Sequence, residues 1–257
     1  MLFSPHGMIG RFLHRRSVAR WKATMRQAGD VDLTSLETQS QMAQKLVRHV
    51  RNFQAEAESR LALPRPGSTT FPRPSGTDWA WRPKLWRSAY AQGGLAPAMP
   101  KDNMTNEVVI FHDCKSAEIT LRQIRNIREI DLSPYGLAIE AFHFDGNYLS
   151  IVIEVPPDSC KGLRRKHLIR FAAVIERERP SRIYARLNVK HGPNTEQLLL
   201  TLPDDQAETM VEFDLAYSQL NEQRADKMWV DLMIESPAMN KITFRDLTLC
   251  RYPRAEI

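Results

Sequence analysis

The stretch LAIEAFHFDGNYLSIVIEV, residues 137–155, predicts two β-strands joined by a tight turn. Both ends of the stretch are rich in β-branched and aromatic residues that alternate with polar ones, which is typical of strands. Asp145-Gly146 between them is a strong hairpin signal, because glycine tolerates a positive φ. Two consecutive prolines, Pro156 and Pro157, end the second strand. The stretch therefore predicts a pair of adjacent antiparallel strands.

The same pattern continues through the C-terminal part of the chain. From residue 107 onward, nine or ten short alternating runs follow one another at near-regular spacing. No long helical pattern lies between them, so the crossovers that parallel strands need are missing and antiparallel pairing is expected. Clean alternation, as in IYARLNV at 183–189, favours two packed sheets over a closed barrel. The predicted fold is mainly β: an antiparallel two-sheet sandwich of jelly-roll type over residues 77–257, with an N-terminal helical extension.

Two segments precede the predicted sandwich. Residues 1–62 form a basic helical region with ten Lys/Arg against five Asp/Glu. Residues 63–76, LPRPGSTTFPRPSG, form a linker, because their four prolines and two glycines favour an extended chain. Residues 107–257 hold 20 Lys/Arg against 23 Asp/Glu, so the basic character belongs to the N-terminal part. A nucleic-acid-binding domain concentrates positive charge on its folded face, so no nucleic acid partner is expected.

The segment 34–61 carries the strongest helix pattern of the chain. Thr34 and Glu37 match a capping box, and Pro64 stops the helix. Apolar residues recur every seven positions, at Leu36, Ala43, Val50 and Ala57. This stripe is expected to pack on the domain itself, on a protein partner or on a second copy of the chain.

Residues 1–28 hold six Lys/Arg and no acid, with apolar residues interleaved at partly helical spacing. Such a segment suits a basic helix on an anionic membrane surface, or a docking helix for an acidic partner. A frayed basic tail, or a helix packed on the body of the protein, is the alternative. The chain has no apolar run of membrane-spanning length and no apolar signal region, so the expected location is cytoplasmic, peripheral at the inner membrane face if this segment binds lipid.

Cofactor and metal chemistry leave no signature in the sequence. The three cysteines, Cys114, Cys160 and Cys250, are widely spaced, which fits isolated thiols in a reducing compartment. Phosphate-binding, dinucleotide-binding and zinc-protease motifs are missing. No cofactor and no metal are therefore expected.

Three of the five tryptophans lie within residues 77–87, TDWAWRPKLWR. Trp79 and Trp81 share one side of an extended segment, with Arg82 and Trp86 close by. Indole rings stack on sugar faces and on guanidinium groups, which predicts ligand contacts at these four residues. The alternative is a structural clamp, in which the indoles are buried against the sandwich because exposed tryptophans are unfavourable without a ligand.

A polar loop at 190–197, KHGPNTEQ, is a second candidate. Its His191, Asn194 and Glu196 offer hydrogen bonds to a polyol, and loops at the ends of sandwiches often carry function. The alternative is turn chemistry alone, with Gly-Pro and Asn-Thr setting the bend.

A basic run at 162–170 is a third candidate. Its four cationic side chains could bind phosphate, sulfate or uronate groups of a ligand. They are Arg164, Arg165, Lys166 and Arg170. The alternative is a solvated loop that keeps a sheet edge from aggregating.

Catalytic chemistry has the weakest support. His112 and Cys114 share one face of a strand while Asp113 points away, so a Cys-His dyad would need closer groups and an oxyanion site. Buried packing at a strand end is the alternative, since free cysteine is among the most buried residue types. No catalytic residue is assigned, and a glycan- or ester-acting hydrolase using His112 or His191 is the least favoured hypothesis.

Several segments of the C-terminal part resemble an uncharacterised alphaproteobacterial family, a domain of unknown function. These segments are FHDC (111–114), TLRQIRN (120–126), PYGL (134–137), FDGNYLSIVI (144–153), LNVKHGPNTEQ (187–197), EFDLAY (212–217) and RDLTLCRYPRAE (245–256). The resemblance implies a bacterial origin and brings no activity. The closing strands are also loosely similar to those of jelly-roll carbohydrate-binding-like domains, an architectural likeness that does not settle function.

Two classes of function remain open beside the hydrolase. The first hypothesis is a non-catalytic binding or scaffold module, with an acidic or neutral glycan as its ligand. The second is a structural subunit that binds a copy of itself or another protein through helix 34–61, with its basic tail near a membrane.

Overall fold

The computed structural model describes residues 8–61 and 71–254. The chain forms two compact units, which divide between Phe53 and Gln54. The predicted boundaries at 62/63 and 76/77 stay predictions, because residues 62–70 lie outside the described part. The predicted membrane contact of residues 1–28 and the predicted location likewise stay predictions.

The N-terminal unit is built from helix α1, Met8–Gln27, and from most of helix α2, Leu33–Leu61. The helix predicted over 34–61 is present, but its predicted cap is wrong. The side chain of Asp32, not Thr34, accepts a hydrogen bond from the Ser35 amide, at 2.9 Å. Helix formation therefore begins one residue before Thr34, and that amide bond lowers the pKa of Asp32.

The apolar side chains of α2 are largely exposed. Leu46, Val50 and Phe53 keep between 43% and 73% of their surface accessible. Self-association or partner binding through this helix stays a prediction. Among the described residues, neither helix is long and apolar enough to cross a membrane.

The second unit is a sandwich of two antiparallel sheets, together with the short helix α3, Lys84–Arg87. Sheet A contains β1 (Trp79–Trp81), β2 (Gly94–Leu95), β5 (Ile119–Arg125), β6 (Tyr135–Ala141), β8 (His167–Arg177), β11 (Glu208–Asp214) and β13 (Asn240–Pro253). Sheet B contains β3 (Lys101–Asn103), β4 (Val108–His112), β7 (Leu149–Glu154), β9 (Ile183–His191), β10 (Asn194–Thr201) and β12 (Ala225–Ile234). Besides the nine or ten predicted strands, the sheets contain the short strands β1, β2 and β3. With two or three residues each, these are too brief to show an alternating pattern in the sequence.

The eight strands β6 to β13 form a jelly roll. Their order is β11-β8-β13-β6 in sheet A and β10-β9-β12-β7 in sheet B. The chain passes from one sheet to the other at every connection except the β9–β10 hairpin. This is the double-sheet arrangement of two Greek keys, so the predicted fold class is confirmed.

The core lies between the two sheets and follows from the alternation of each strand. On β9, for example, Ile183, Ala185, Leu187 and Val189 are fully buried, while the residues between them face outward. The facing strand β8 contributes Ile169, Phe171 and Ile175 in the same way. Every second residue is thereby removed from water, which supplies the main stabilisation of the sandwich.

The predicted Asp145-Gly146 hairpin is wrong. Strand β6 lies in sheet A and β7 in sheet B, so residues 142–148 cross from one sheet to the other. The turn is held by Asp113, whose carboxylate accepts hydrogen bonds from the backbone amides of Asn147 and Tyr148 and from the Asn147 side chain, at 2.7, 3.2 and 2.7 Å. Asp113 therefore ties the end of β4 to the crossover, and the hydrogen bond from the Asn147 side chain lowers its pKa.

Gly146 is needed for space and not for a positive φ. A Cβ at this position would overlap Asp113 Oδ1 and approach Cys114 Sγ to 3.1 Å. We expect Gly146→Ala to lower the melting temperature by roughly 3–8 °C, because the Asp113 contacts must shift. Differential scanning calorimetry measures this change. Gly29→Ala is the matched control, since nothing lies within 4 Å of its added Cβ, and equal melting temperatures for both variants would contradict the role of Gly146.

Candidate functional site

The tryptophan-rich segment 77–87 is a clamp on sheet A. Strand β1 pairs antiparallel with β13, placing Trp79 opposite Arg251 and Trp81 opposite Leu249. The rings of Trp79 and Trp81 stack at 6.4 Å between centroids, on one side of the strand as predicted. Both are half-buried against the core. The Trp79 indole N–H donates to Asp158 Oδ2 at 3.2 Å, so both rings have structural partners.

Trp86 and Arg82 are structural residues, which corrects their predicted ligand contacts. The Trp86 side chain is 1% exposed, and its indole N–H donates to the Phe244 carbonyl at 2.9 Å. Arg82 is also buried, donating to both carboxylate oxygens of Asp246 at 2.8 and 2.7 Å. Its guanidinium lies over the Phe71 ring, 4.9 Å from the centroid. Neither side chain presents a surface to a ligand.

The loop 190–197 forms the expected tight hairpin, but its histidine points into the sandwich. Gly192 has a φ of 65° at the first central position of a two-residue turn, which suits a type II′ hairpin. His191 is 5% exposed, and its Nε2 lies 3.9 Å from Glu196 Oε1. His191 and Glu196 thus meet on the inner face of the hairpin and Asn194 is exposed at the turn. Burial excludes His191 as a ligand contact, because odd-numbered residues of β9 face the core.

The four cations of the basic run are not equivalent. Arg164 and Lys166 are exposed on the loop before β8. Arg165 donates to the Ala216 carbonyl at 2.8 Å, which anchors the loop to the segment after β11. Arg170 lies further along, in β8, on the outer face of sheet A. Anion binding by these residues stays a prediction.

His167 at the start of β8 makes stability depend on pH. Burial lowers the pKa of its imidazole below 6.5, against the pull of Asp78, and Arg251, Lys166 and Arg164 lower it further. The unfolded chain therefore takes up a proton near pH 6.5, whereas the folded protein does so at lower pH. The contribution of the neutral His167 to the free energy of unfolding is fully present above pH 6.5. It is lost as the pH falls through the lower pKa of His167 in the folded protein. We expect the melting temperature to drop between about pH 7 and 5, and less so for His167→Asn.

The exposed His143 supplies the control for this titration. His143→Asn leaves His167 in place, so its melting temperature should still drop between about pH 7 and 5. A wild-type profile that His167→Asn leaves unaltered would show that another group causes the loss.

His112 and Cys114 are core residues. His112 is buried, its Nε2 lies 3.2 Å from the Ala98 carbonyl, and its Nδ1 accepts from the Cys114 amide at 3.3 Å. Burial raises the pKa of the Cys114 thiol, which disfavours the nucleophilic thiolate. The arrangement fixes the end of β4 and offers no catalytic dyad.

A row of polar side chains crosses the outer face of sheet B. It consists of Arg186, Asn188, Gln197 and Asp231, which we call the sheet B polar row. Asp231 is 4% exposed, and its Oδ2 accepts from Arg186 Nε and Nη2 at 2.8 and 2.6 Å and from Asn188 Nδ2 at 3.0 Å. Gln197 Nε2 donates to Asn188 Oδ1 at 3.1 Å. These bonds hold four polar groups in fixed positions across strands β10, β9 and β12.

Aromatic rings border the sheet B polar row. Trp229 lies opposite Asn188 on β12, half-buried, with the Lys227 ammonium 5.3 Å from its ring centroid. Tyr184 lies on β9 on the same outer face, four residues before Asn188, or about 13 Å along the strand. The outer face of sheet B thus carries a hydrogen-bonding row with two partly exposed rings beside it.

A hollow of about 570 Å³ adjoins this row at the end of β7 and β12. Carboxylate and amide side chains line it, namely Asn103, Asn106, Glu107, Glu154 and Asp226. Lys227 also lines the hollow, and its ammonium is bound to Glu154 at 2.9 Å. Val109, Val155, Pro156 and Pro157 complete the lining, and Trp229, which pairs with Glu154 across β12 and β7, lies between the hollow and the row.

The sequence contains the components of this surface but not their assembly. Tyr184, Arg186 and Asn188 are the outward residues of the IYARLNV alternation, and Trp229 and Asp231 have the same spacing in MWVDLMIE. Polar and aromatic residues at alternate positions of two strands are the available signal. The register that places Arg186 opposite Asp231 joins residues 45 positions apart, and no local pattern specifies it.

Metal binding has no support in the described part of the chain, where no cluster of three or more His, Cys, Asp or Glu could hold an ion.

Solved structures with a similar fold include three of distinct kinds. The family 11 carbohydrate-binding module of Clostridium thermocellum is 13% identical, with a TM-score of 0.39, covering 64% of this chain and 97% of the module. The C-terminal family 22 module of Xyn10B from the same organism is 9% identical, with a TM-score of 0.35. The match covers 73% of this chain and 99% of the module. The enzymatically active domain of tailspike protein 4 of bacteriophage CBA120 is 4% identical, with a TM-score of 0.40. The match covers 56% of this chain and 19% of the tailspike chain.

Comparison at the level of sequence gives the family. Among curated proteins, none matches the chain. A family model matches all of residues 1–257, and the chain belongs to that family, the family of unknown function DUF6478.

Proposed function

We propose that the sandwich is a non-catalytic glycan-binding module whose ligand lies across the outer face of sheet B. The observation that carries the proposal is the sheet B polar row with Trp229 beside it. Sugar hydroxyls donate and accept hydrogen bonds, so the accessible guanidinium of Arg186 and amide of Gln197 suit them, while the buried Asp231 and Asn188 hold the row in place. Indole rings cover the apolar faces of sugars.

The polar row is preorganised for such a ligand. Asp231 Oδ2 already accepts three hydrogen bonds, so the Arg186 and Asn188 side chains are fixed before a ligand arrives. Fixing them in advance reduces the entropy cost of binding. Arg186 keeps 36% of its side chain exposed, and Gln197 is exposed at the end of the row, so both remain accessible to hydroxyl groups.

The charges of the adjoining hollow favour a neutral glycan. Among the described residues that line it, Glu107, Glu154 and Asp226 carry negative charge and Lys227 carries positive charge. Carboxylates accept hydrogen bonds from hydroxyls but repel uronate, sulfate and sialate groups. Of the acidic and neutral ligands considered, the neutral class therefore fits this surface better.

A glycan array probed with the full chain tests this proposal. We expect the bound glycans to be neutral and Trp229→Ala to weaken the strongest interaction at least about tenfold, because an indole at a binding centre contributes a large share of affinity. Gln197→Ala should weaken it less.

Tyr217→Ala is the matched control, since Tyr217 is an aromatic residue 78% exposed outside sheet B. It should bind as the wild type does. Binding restricted to acidic glycans, or a Trp229→Ala variant with wild-type affinity, would count against the proposed surface.

A further inference from the structure

A groove of about 490 Å³ lies on the outer face of sheet A, on the opposite side of the sandwich from the sheet B polar row. Strands β8, β11 and β13 form its floor, and Phe71, Ile130 and Leu132 form part of its walls. We call it the sheet A groove. Its volume is in the range of cavities that hold small organic molecules.

Arg170 lines this groove and carries an unused hydrogen-bond donor. Its Nε is buried and has no hydrogen-bond partner in the described structure. Glu212 Oε1, 3.8 Å away, forms an ion pair with Arg170 but lies beyond hydrogen-bonding distance, and it already accepts from the Tyr252 hydroxyl. A buried guanidinium N–H without an acceptor is unfavourable, so an acceptor supplied by a ligand would be stabilising.

The other two arginines of the groove are fully engaged. Arg128 donates to both oxygens of Asp131 and to Glu176, and Arg245 donates to Glu176 at 2.9 Å. These pairs neutralise one another and fix the groove wall. The exposed Glu208 lines the groove about 13 Å along β11 from Glu212, too far to neutralise Arg170 through a direct contact.

A second guanidinium lies beside the Phe71 wall of the groove. Arg73 lies over the Phe71 ring, 5.1 Å from its centroid. Cys250 on the groove floor is buried, which raises the pKa of its thiol, and the charges of Arg73 and Arg170 oppose that rise. Both cations therefore act on the same part of the floor.

Apolar surface completes the groove. Ile130, Leu132 and Met210 line it and are exposed, with Ala172 and Val174 of β8 beneath them. Exposed apolar groups beside a cation suit a ligand with one charged end and an apolar body.

We propose that the sheet A groove binds a small organic carboxylate, with the carboxylate on Arg170 and the apolar body against Met210 and Leu132. Guanidinium and carboxylate form charge-assisted hydrogen bonds, which are stronger than neutral ones. This second site lies on the other sheet from the glycan surface and does not depend on it.

Titration calorimetry of the full chain with 1-naphthoate and its neutral analogue 1-naphthamide tests the inference. The two probes share one apolar body and differ in charge. We expect naphthoate to bind about tenfold more tightly than naphthamide, and Arg170→Met to remove that difference. Arg165→Met, which alters a cation on the neighbouring loop, should leave both affinities unchanged.

Met210→Glu provides a second variant at an exposed position. Its carboxylate should weaken naphthoate binding more than naphthamide binding, because like charges repel. Equal affinities of the wild type for the two probes, binding of neither, or an Arg170→Met variant that still prefers naphthoate would each overturn the inference.

Discussion

Replacing Trp86 by alanine is expected to lower the free energy of unfolding by about 3–5 kcal/mol. The ring of Trp86 is buried in the core cluster, and its indole N–H donates to the Phe244 carbonyl at 2.9 Å. Alanine would leave a large cavity and an unpaired carbonyl on β13, and both are costly. Urea denaturation followed by circular dichroism measures the change.

Tyr217→Ala is the control for this measurement, because an exposed aromatic side chain contributes within about 0.5 kcal/mol. A cost for Trp86→Ala below about 1 kcal/mol would mean that the segment 77–87 does not clamp sheet A.

Arg82→Ala is the second substitution with a large expected effect, about 3–4 kcal/mol. Arg82 is fully buried, and the side chain of its partner Asp246 is 13% exposed. Removing the cation leaves a nearly buried carboxylate, to which, among the described residues, the Leu247 amide still donates at 2.8 Å. The desolvated charge, more than the lost attraction, causes the destabilisation.

The more exposed pair of Arg122 and Glu140 offers a comparison. Its Nη2–Oε1 distance is 2.7 Å, the same as the Nη2–Oδ2 distance between Arg82 and Asp246. Arg122→Ala should cost less than about 1 kcal/mol, since solvent screens the pair. If the two arginine variants lose equal stability, the Arg82 pair does not act as a buried one. The same urea experiment decides between these results.

The fold class is predictable because alternation is a local property. IYARLNV shows its inner and outer faces without reference to any other strand, and enough such strands without helices predict an antiparallel sandwich. The connections are different. Asp145-Gly146 has the composition of a hairpin turn, yet Asp113, more than thirty residues earlier, holds that turn in a crossover between sheets.

In the candidate site, too, local sequence predicts some features and long-range contacts decide the others. Residue types that bind sugars were recognisable in the tryptophan segment, but the burial of Trp86 depends on Phe244, 158 positions away. No local pattern indicates the sheet B polar row, because its chemistry arises only when β9 and β12 are in register. Local sequence limits which side chains face outward, and long-range pairing decides which of them meet.

The central claim, that sheet B carries the ligand surface, is tested most directly by nuclear magnetic resonance. The five indole N–H groups give separate resonances, which can be followed during titration with a neutral oligosaccharide that binds on the array. We predict that the Trp229 resonance shifts in proportion to saturation, while those of Trp79, Trp81 and Trp86 stay in place. Shifts of Trp79 and Trp81 with a stationary Trp229 would contradict the account and place the ligand on the clamp instead.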